Sequence, residues 1–183
     1  MQKTNNFSVV VIRVPRLRRM NMRVNLGNEV VIRAPKRTTD SAVQKFITEK
    51  NNWIQKQIST MNSLVPLSRE RLLELKKLAH IFLPDRVHML AKKHNFAYAS
   101  VTCRHQLTRW GSCSHKNRIN LNVELMRLPE KLRDYIIIHE LTHTIHKHHQ
   151  KAFWNALERT LPGAKKLDKE MKGWKIGYES QGG

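Results

Sequence analysis

The sequence predicts an α+β chain, with an N-terminal antiparallel β-meander followed by a small mixed sheet packed around one central helix. Three observations carry that reading. Residues 7–35 fall into three β-rich alternating runs broken by turn residues. Residues 41–54 and 72–91 repeat their apolar positions at three- and four-residue steps. Residues 132–145 do so again, with histidines gathered on and just after them. A length of 183 residues with 40% hydrophobic content is enough for an ordinary core. The natural division is a meander-plus-helix unit over 1–67 and a second unit over 68–183.

Composition excludes several classes. No run approaches the length of apolar chain that a membrane helix needs. Arg13 interrupts the apolar run nearest the start, so the chain lacks a signal-peptide pattern and a cytoplasmic monomer is expected. Two cysteines, Cys103 and Cys113, are too few for a disulfide framework and read as free thiols. The net charge is +20, and residues 1–37 hold nine Lys/Arg against one acid. Such a block is either a solvated face or a surface that attracts phosphates. Arg16, Arg18 and Arg19 crowd the loop between the first two strands and are the candidate nucleic-acid contacts.

The elements follow in order. Strands are expected over 7–14, 20–25 and 29–34, with Leu26-Gly27-Asn28 as a turn. Asp40 or Ser41 caps a helix whose apolar face is Val43, Phe46, Ile47 and Ile54, with Trp53 as a core anchor. Residues 61–67 read as a linker. Ser68 opens a second helix, which Pro84 should kink or restart. Residues 97–103 alternate as a strand, 109–114 form a strand end and turn, and 117–123 form the next strand. A helix follows Pro129 and runs to about Lys147. Another spans 150–161, stopped by Pro162-Gly163, and a short aromatic-bearing helix precedes a disordered Gly182-Gly183 end.

The central helix carries the chemistry. His139 and His143 stand four residues apart, so a helix places them on one face, where two imidazoles can serve one metal ion. Glu140 is about 100° round from His139, within reach of a water on that metal. This is the content of H-E-x-x-H: two ligands and a general base. Leu132, Ile138, Leu141 and Ile145 give the helix a separate apolar stripe. The nearby candidates for a third ligand are His146, His148 and His149. His149 is six residues past His143 and returns only if the chain turns after about Lys147, with His148 as a candidate for positive φ. His146 and His148 otherwise read as a solvated basic patch. Tyr135 and Tyr178 are the candidates for an oxyanion donor.

The ordered set Arg109-Trp110-Gly111-Ser112-Cys113-Ser114, Ile119-Asn120-Leu121-Asn122, Pro129, His139-Glu140-Leu141-Thr142-His143, His149 and Phe153-Trp154 resembles the YgjP-like family of small zinc metallopeptidases. Those enzymes are of the minigluzincin type, and the set is more distantly similar to the WLM and SprT-like proteases that act on DNA–protein crosslinks. Val30 to Pro35 and Trp53-Ile54 extend the resemblance into the N-terminal half. His148 and Gln150 depart from it, standing where the family usually shows Asn and Ser. The resemblance implies a zincin-like core, one zinc ion held by His139, His143 and His149, Glu140 as base, and a protein or peptide substrate. It also implies that Ile119–Asn122 is an exposed sheet edge on which substrate is added as a strand. A central strand with polar exposed side chains is the alternative. A second function class is a nucleic-acid-associated protein that binds through the basic N-terminal sheet.

Overall fold

The computed structural model describes residues 6–180, so the expected disorder at Gly182-Gly183 lies outside the described residues. The chain divides into two compact units. One holds residues 6–65 with Glu179 and Ser180, and the other holds Pro66–Tyr178. The last residues join the first unit because β8 (Tyr178–Ser180) pairs with β4 (Leu64–Pro66) in a two-stranded ribbon. Among the described residues no helix is long and apolar enough to cross a membrane.

In the first unit, β1 (Ser8–Val14), β2 (Asn21–Val24) and β3 (Glu29–Pro35) form a sheet in the order β1-β3-β2. This corrects the antiparallel meander: β3 is central, antiparallel to β2 but parallel to β1. The physical reason lies in β3 itself. Val30, Val31, Ile32 and Ala34 are all buried, which suits a strand with neighbours on both sides, whereas the side chains of β1 are largely exposed. Helix α1 (Asp40–Asn62) packs Val43, Ile47, Ile54 and Ile58 on this sheet. Its cap is Thr39, one residue earlier than expected, whose hydroxyl accepts from the Ala42 amide at 3.2 Å. Trp53 is 42% exposed and is not a core anchor, since it sits one position beside the buried stripe.

The second unit is built on helix α2 (Arg69–Lys93), capped by Ser68, whose hydroxyl accepts from the Arg71 amide. The helix runs on through Pro84 without a restart. Strands β5 (Ser100–Arg104), β6 (Gly111–Cys113) and β7 (Arg118–Asn122) form a sheet in the order β5-β7-β6. Here β7 is parallel to β5 and antiparallel to β6. A short 3-10 turn over Val123–Arg127 leads to α3 (Glu130–Thr142), followed by α4 (Lys151–Thr160) and α5 (Ala164–Met171). Leu83, Val87, Ile119, Leu121, Ile137 and Leu141 belong to one continuous core. Arg86 of α2 grips Asp134 of α3 through two hydrogen bonds of 2.7 and 2.5 Å, and it also contacts Glu130. A planar guanidinium suits this two-pronged contact with a carboxylate. The helix that carries the histidines is therefore fixed both by its apolar side and by a charged clamp.

Candidate metal centre

Helix α3 ends at Thr142, about five residues before the expected stop. Its last turn is closed by short bonds, from the Ile145 amide to the Thr142 carbonyl and from the Thr144 amide to the Leu141 carbonyl. Ile145 is consequently 62% exposed and leaves the apolar stripe. The early stop is what returns His149 to the metal side. His148 is not among the positive-φ residues, so the turn does not depend on it. Lys147 pins the loop instead: its ammonium donates to the Asn117 side chain at 2.5 Å and to the Ser114 carbonyl at 3.2 Å.

The three imidazoles converge. Nε2 of His149 lies 2.9 Å from Nε2 of His139 and 3.1 Å from Nε2 of His143. Among the described residues this triad is the one cluster of His, Cys, Asp or Glu with the geometry to hold a metal ion. His146 and His148 do not join it, although the His146 carbonyl accepts from Nδ1 of His143 at 2.8 Å. That bond leaves a lone pair on Nε2 of His143, turned toward the centre. A tetrahedral ion with Zn–N bonds near 2.0–2.1 Å spaces its nitrogens about 3.3 Å apart. The observed spacings of 2.9 and 3.1 Å sit a little below that value, so the three ring nitrogens could hold a metal ion. Burial, reinforced by His143 and His149, pushes the His139 pKa down to about 3, so that ring is neutral at physiological pH. The residues fit one ion.

Glu140 is 5% exposed, and its Oε2 has no hydrogen-bond partner. Burial raises its pKa to about 8, against the opposing pull of Arg109. An unpartnered buried carboxylate oxygen beside a metal-ligand triad is placed for a water molecule. Glu140 lines a cavity of about 280 Å³ together with Trp110, Gly111, Tyr135 and Asp168.

The contacts of several residues around the triad escaped the sequence. Tyr135 is buried, and its hydroxyl donates to Asp168 at 3.1 Å and lies 3.4 Å from Nδ1 of His139. A hydroxyl held between Asp168 and His139 can orient the His139 ring. Asn122 donates to the carbonyls of Gln106 and Arg109 and accepts from the Glu124 amide, so it clamps the loop that delivers β6. Glu124 is fully buried and satisfied by Arg127, His105 and the Gly177 amide. The Arg127 guanidinium also lies over the rings of Trp110 and Trp174.

The structure corrects the substrate edge. Ile119, Asn120, Leu121 and Asn122 lie in β7, which is hydrogen-bonded on both sides, and Ile119, Leu121 and Asn122 are buried. A strand with both edges paired has no backbone groups to offer a substrate. Among the described residues the edge strand beside Glu140 is β6. Arg16, Arg18 and Arg19 lie exposed in the connection between β1 and β2, with Arg16 at φ 62°.

A family model described as "YgjP-like, metallopeptidase domain" matches residues 18–74 and 66–173. No curated protein matches. Two crystal structures of metallopeptidase zymogens are similar. Abylysin of Pyrococcus abyssi is 27% identical, covering 48% of this chain and 90% of its own, with a TM-score of 0.43. Jannalysin of Methanocaldococcus jannaschii is 22% identical, covering 48% and 91%, also with a TM-score of 0.43.

Proposed function

Because the chain belongs to the YgjP-like metallopeptidase family, we propose that it is a zinc endopeptidase, with His139, His143 and His149 as ligands and Glu140 as general base. The observation that carries this reading is the triad of converging Nε2 atoms beside a buried carboxylate oxygen with no partner. Zinc, when bound, supplies a Lewis acid that brings the pKa of water to about 7 and polarises a carbonyl. Glu140 takes a proton from the attacking water and passes it to the leaving amine. Tyr135 and the His146 carbonyl hold the rings of His139 and His143 in orientation. The substrate backbone lies along the outer edge of β6, where main-chain bonds give binding with little sequence selectivity. Glu140→Gln tests the reading: zinc should stay at one ion per chain while peptide hydrolysis falls by about 10²–10⁴ or more. Equal turnover in the two proteins rules the mechanism out.

A second reading, nucleic-acid binding by the first unit, draws support from the exposure of Arg16, Arg18 and Arg19 in one connection. Reversing all three to Glu should reduce the log–log salt slope of oligonucleotide binding by roughly one for each phosphate that these arginines neutralise. An unchanged slope retires it.

A further inference from the structure

Helices α4 and α5 leave a groove of about 450 Å³ whose lining is dominated by lysine. Lys151 of α4 lines it, together with Lys165 and Lys169 of α5 and Lys172 just beyond. Lys165, Lys169 and Lys172 are spaced i, i+4 and i+7, so they share one helical stripe, an arrangement of like charges that works against the helix itself. The carboxylate in this lining is Asp168, and it is already committed: it accepts from the Tyr135 hydroxyl and pairs with Lys172 at 3.2 Å. Among the described residues, Lys151, Lys165 and Lys169 have no ion-pair partner.

The groove adjoins the candidate metal centre. Asp168 and Lys172 line both it and the cavity that contains His139 and Glu140. The indole of Trp154, also in its lining, has its centroid 6.5 Å from His139 and 6.3 Å from His149. Asn155 adds a neutral hydrogen-bonding group. Several unpaired ammonium groups of one sign in a recess focus potential on an anion, while an aromatic face can cover a short aliphatic stem.

We propose that this groove binds the carboxylate of a glutamate or aspartate side chain close to the scissile bond, so that the enzyme selects acidic stretches of its substrates. The proposal rests on the peptidase reading and names the substrate class of that same site. Backbone pairing along β6 supplies affinity for any extended peptide, and the lysine groove supplies the discrimination. A free C-terminal carboxylate has the same chemistry, so the test must separate the two sources.

The test measures binding to zinc-loaded Glu140→Gln protein, which does not turn substrate over. Fluorescent decapeptides blocked at both ends carry Glu or Gln at the central positions, and a third peptide carries Gln with a free C-terminus. The blocked Glu peptide should bind about tenfold more tightly than the blocked Gln peptide at low salt, with the ratio shrinking as salt rises. Lys165→Gln with Lys169→Gln should bring the ratio to within about twofold, and the matching double change to Glu should turn the preference toward a Lys-containing peptide. A lost preference could reflect misfolding, but an inverted one could not. Equal binding of Glu and Gln peptides, no binding of either, a ratio that survives the double change to Gln, or a gain seen only with the free C-terminus would each overturn the proposal. Hydrolysis of the Gln peptide by the unaltered enzyme separately tests the peptidase reading.

Discussion

Gly111 lies against Glu140 so closely that a Cβ on the glycine would sit 2.7 Å from Oε1 and 2.8 Å from Cγ of the glutamate. The β6 backbone therefore forms one wall of the carboxylate's position. Gly111→Ala must push Glu140 aside, because backbone and carboxylate cannot both stay. The expected result is full zinc content with peptide turnover reduced by about 10²-fold, the scale of a 1 Å misplacement of a catalytic group. Unchanged turnover in a zinc-loaded Gly111→Ala enzyme would show that the contact does not set the position of the base.

The hydroxyl of Tyr135 stands between Asp168 and His139, and its removal leaves the ring and its packing in place. Tyr135→Phe should weaken zinc binding by about 10–100-fold, the usual effect of losing an outer hydrogen bond to a ligand histidine. Competition with a chromogenic chelator measures it. Asp168→Asn should weaken binding less, since the hydroxyl can still reach Nδ1 of His139.

Metal-free protein should display the Glu140 shift through stability. The folded pKa is raised, from 4.5 to about 8. Between those values the folded state holds a proton that the unfolded chain has released, so the stability present below 4.5 is lost as pH rises through 8. Glutamine carries no such dependence. Chelator-treated Glu140→Gln protein should therefore gain thermal stability over chelator-treated wild type as pH rises from about 5 to about 8, with the gap closing at the acid end. A gap of constant size across that range would contradict the shift.

The sequence disclosed what depends on short spacing. His139, Glu140 and His143 follow from helical geometry, and the cap at Ser68 and the helix stop at Pro162-Gly163 from local chemistry. Contacts between distant residues were hidden. Gly111 meets Glu140 across 29 positions, and Tyr135 meets Asp168 across 33, and neither pair leaves a periodic trace. The alternation of 117–123 shows which side chains share a face, but it does not show how many neighbours a strand has. The family resemblance made Ile119–Asn122 an edge, and the strand proved to be the centre of the sheet, the alternative that the alternation left open. Likewise, β1 and β3 each look like strands, and nothing local distinguishes a meander from the crossover that pairs them in parallel.

X-ray absorption at the zinc edge of the purified protein tests the central claim most directly. The spectrum should show one zinc per chain with three imidazole nitrogens at about 2.0–2.1 Å and one light oxygen ligand from solvent, falling to two imidazoles or to no zinc in His149→Ala. A fourth protein ligand closing the site, or an unaltered spectrum in His149→Ala, would contradict it.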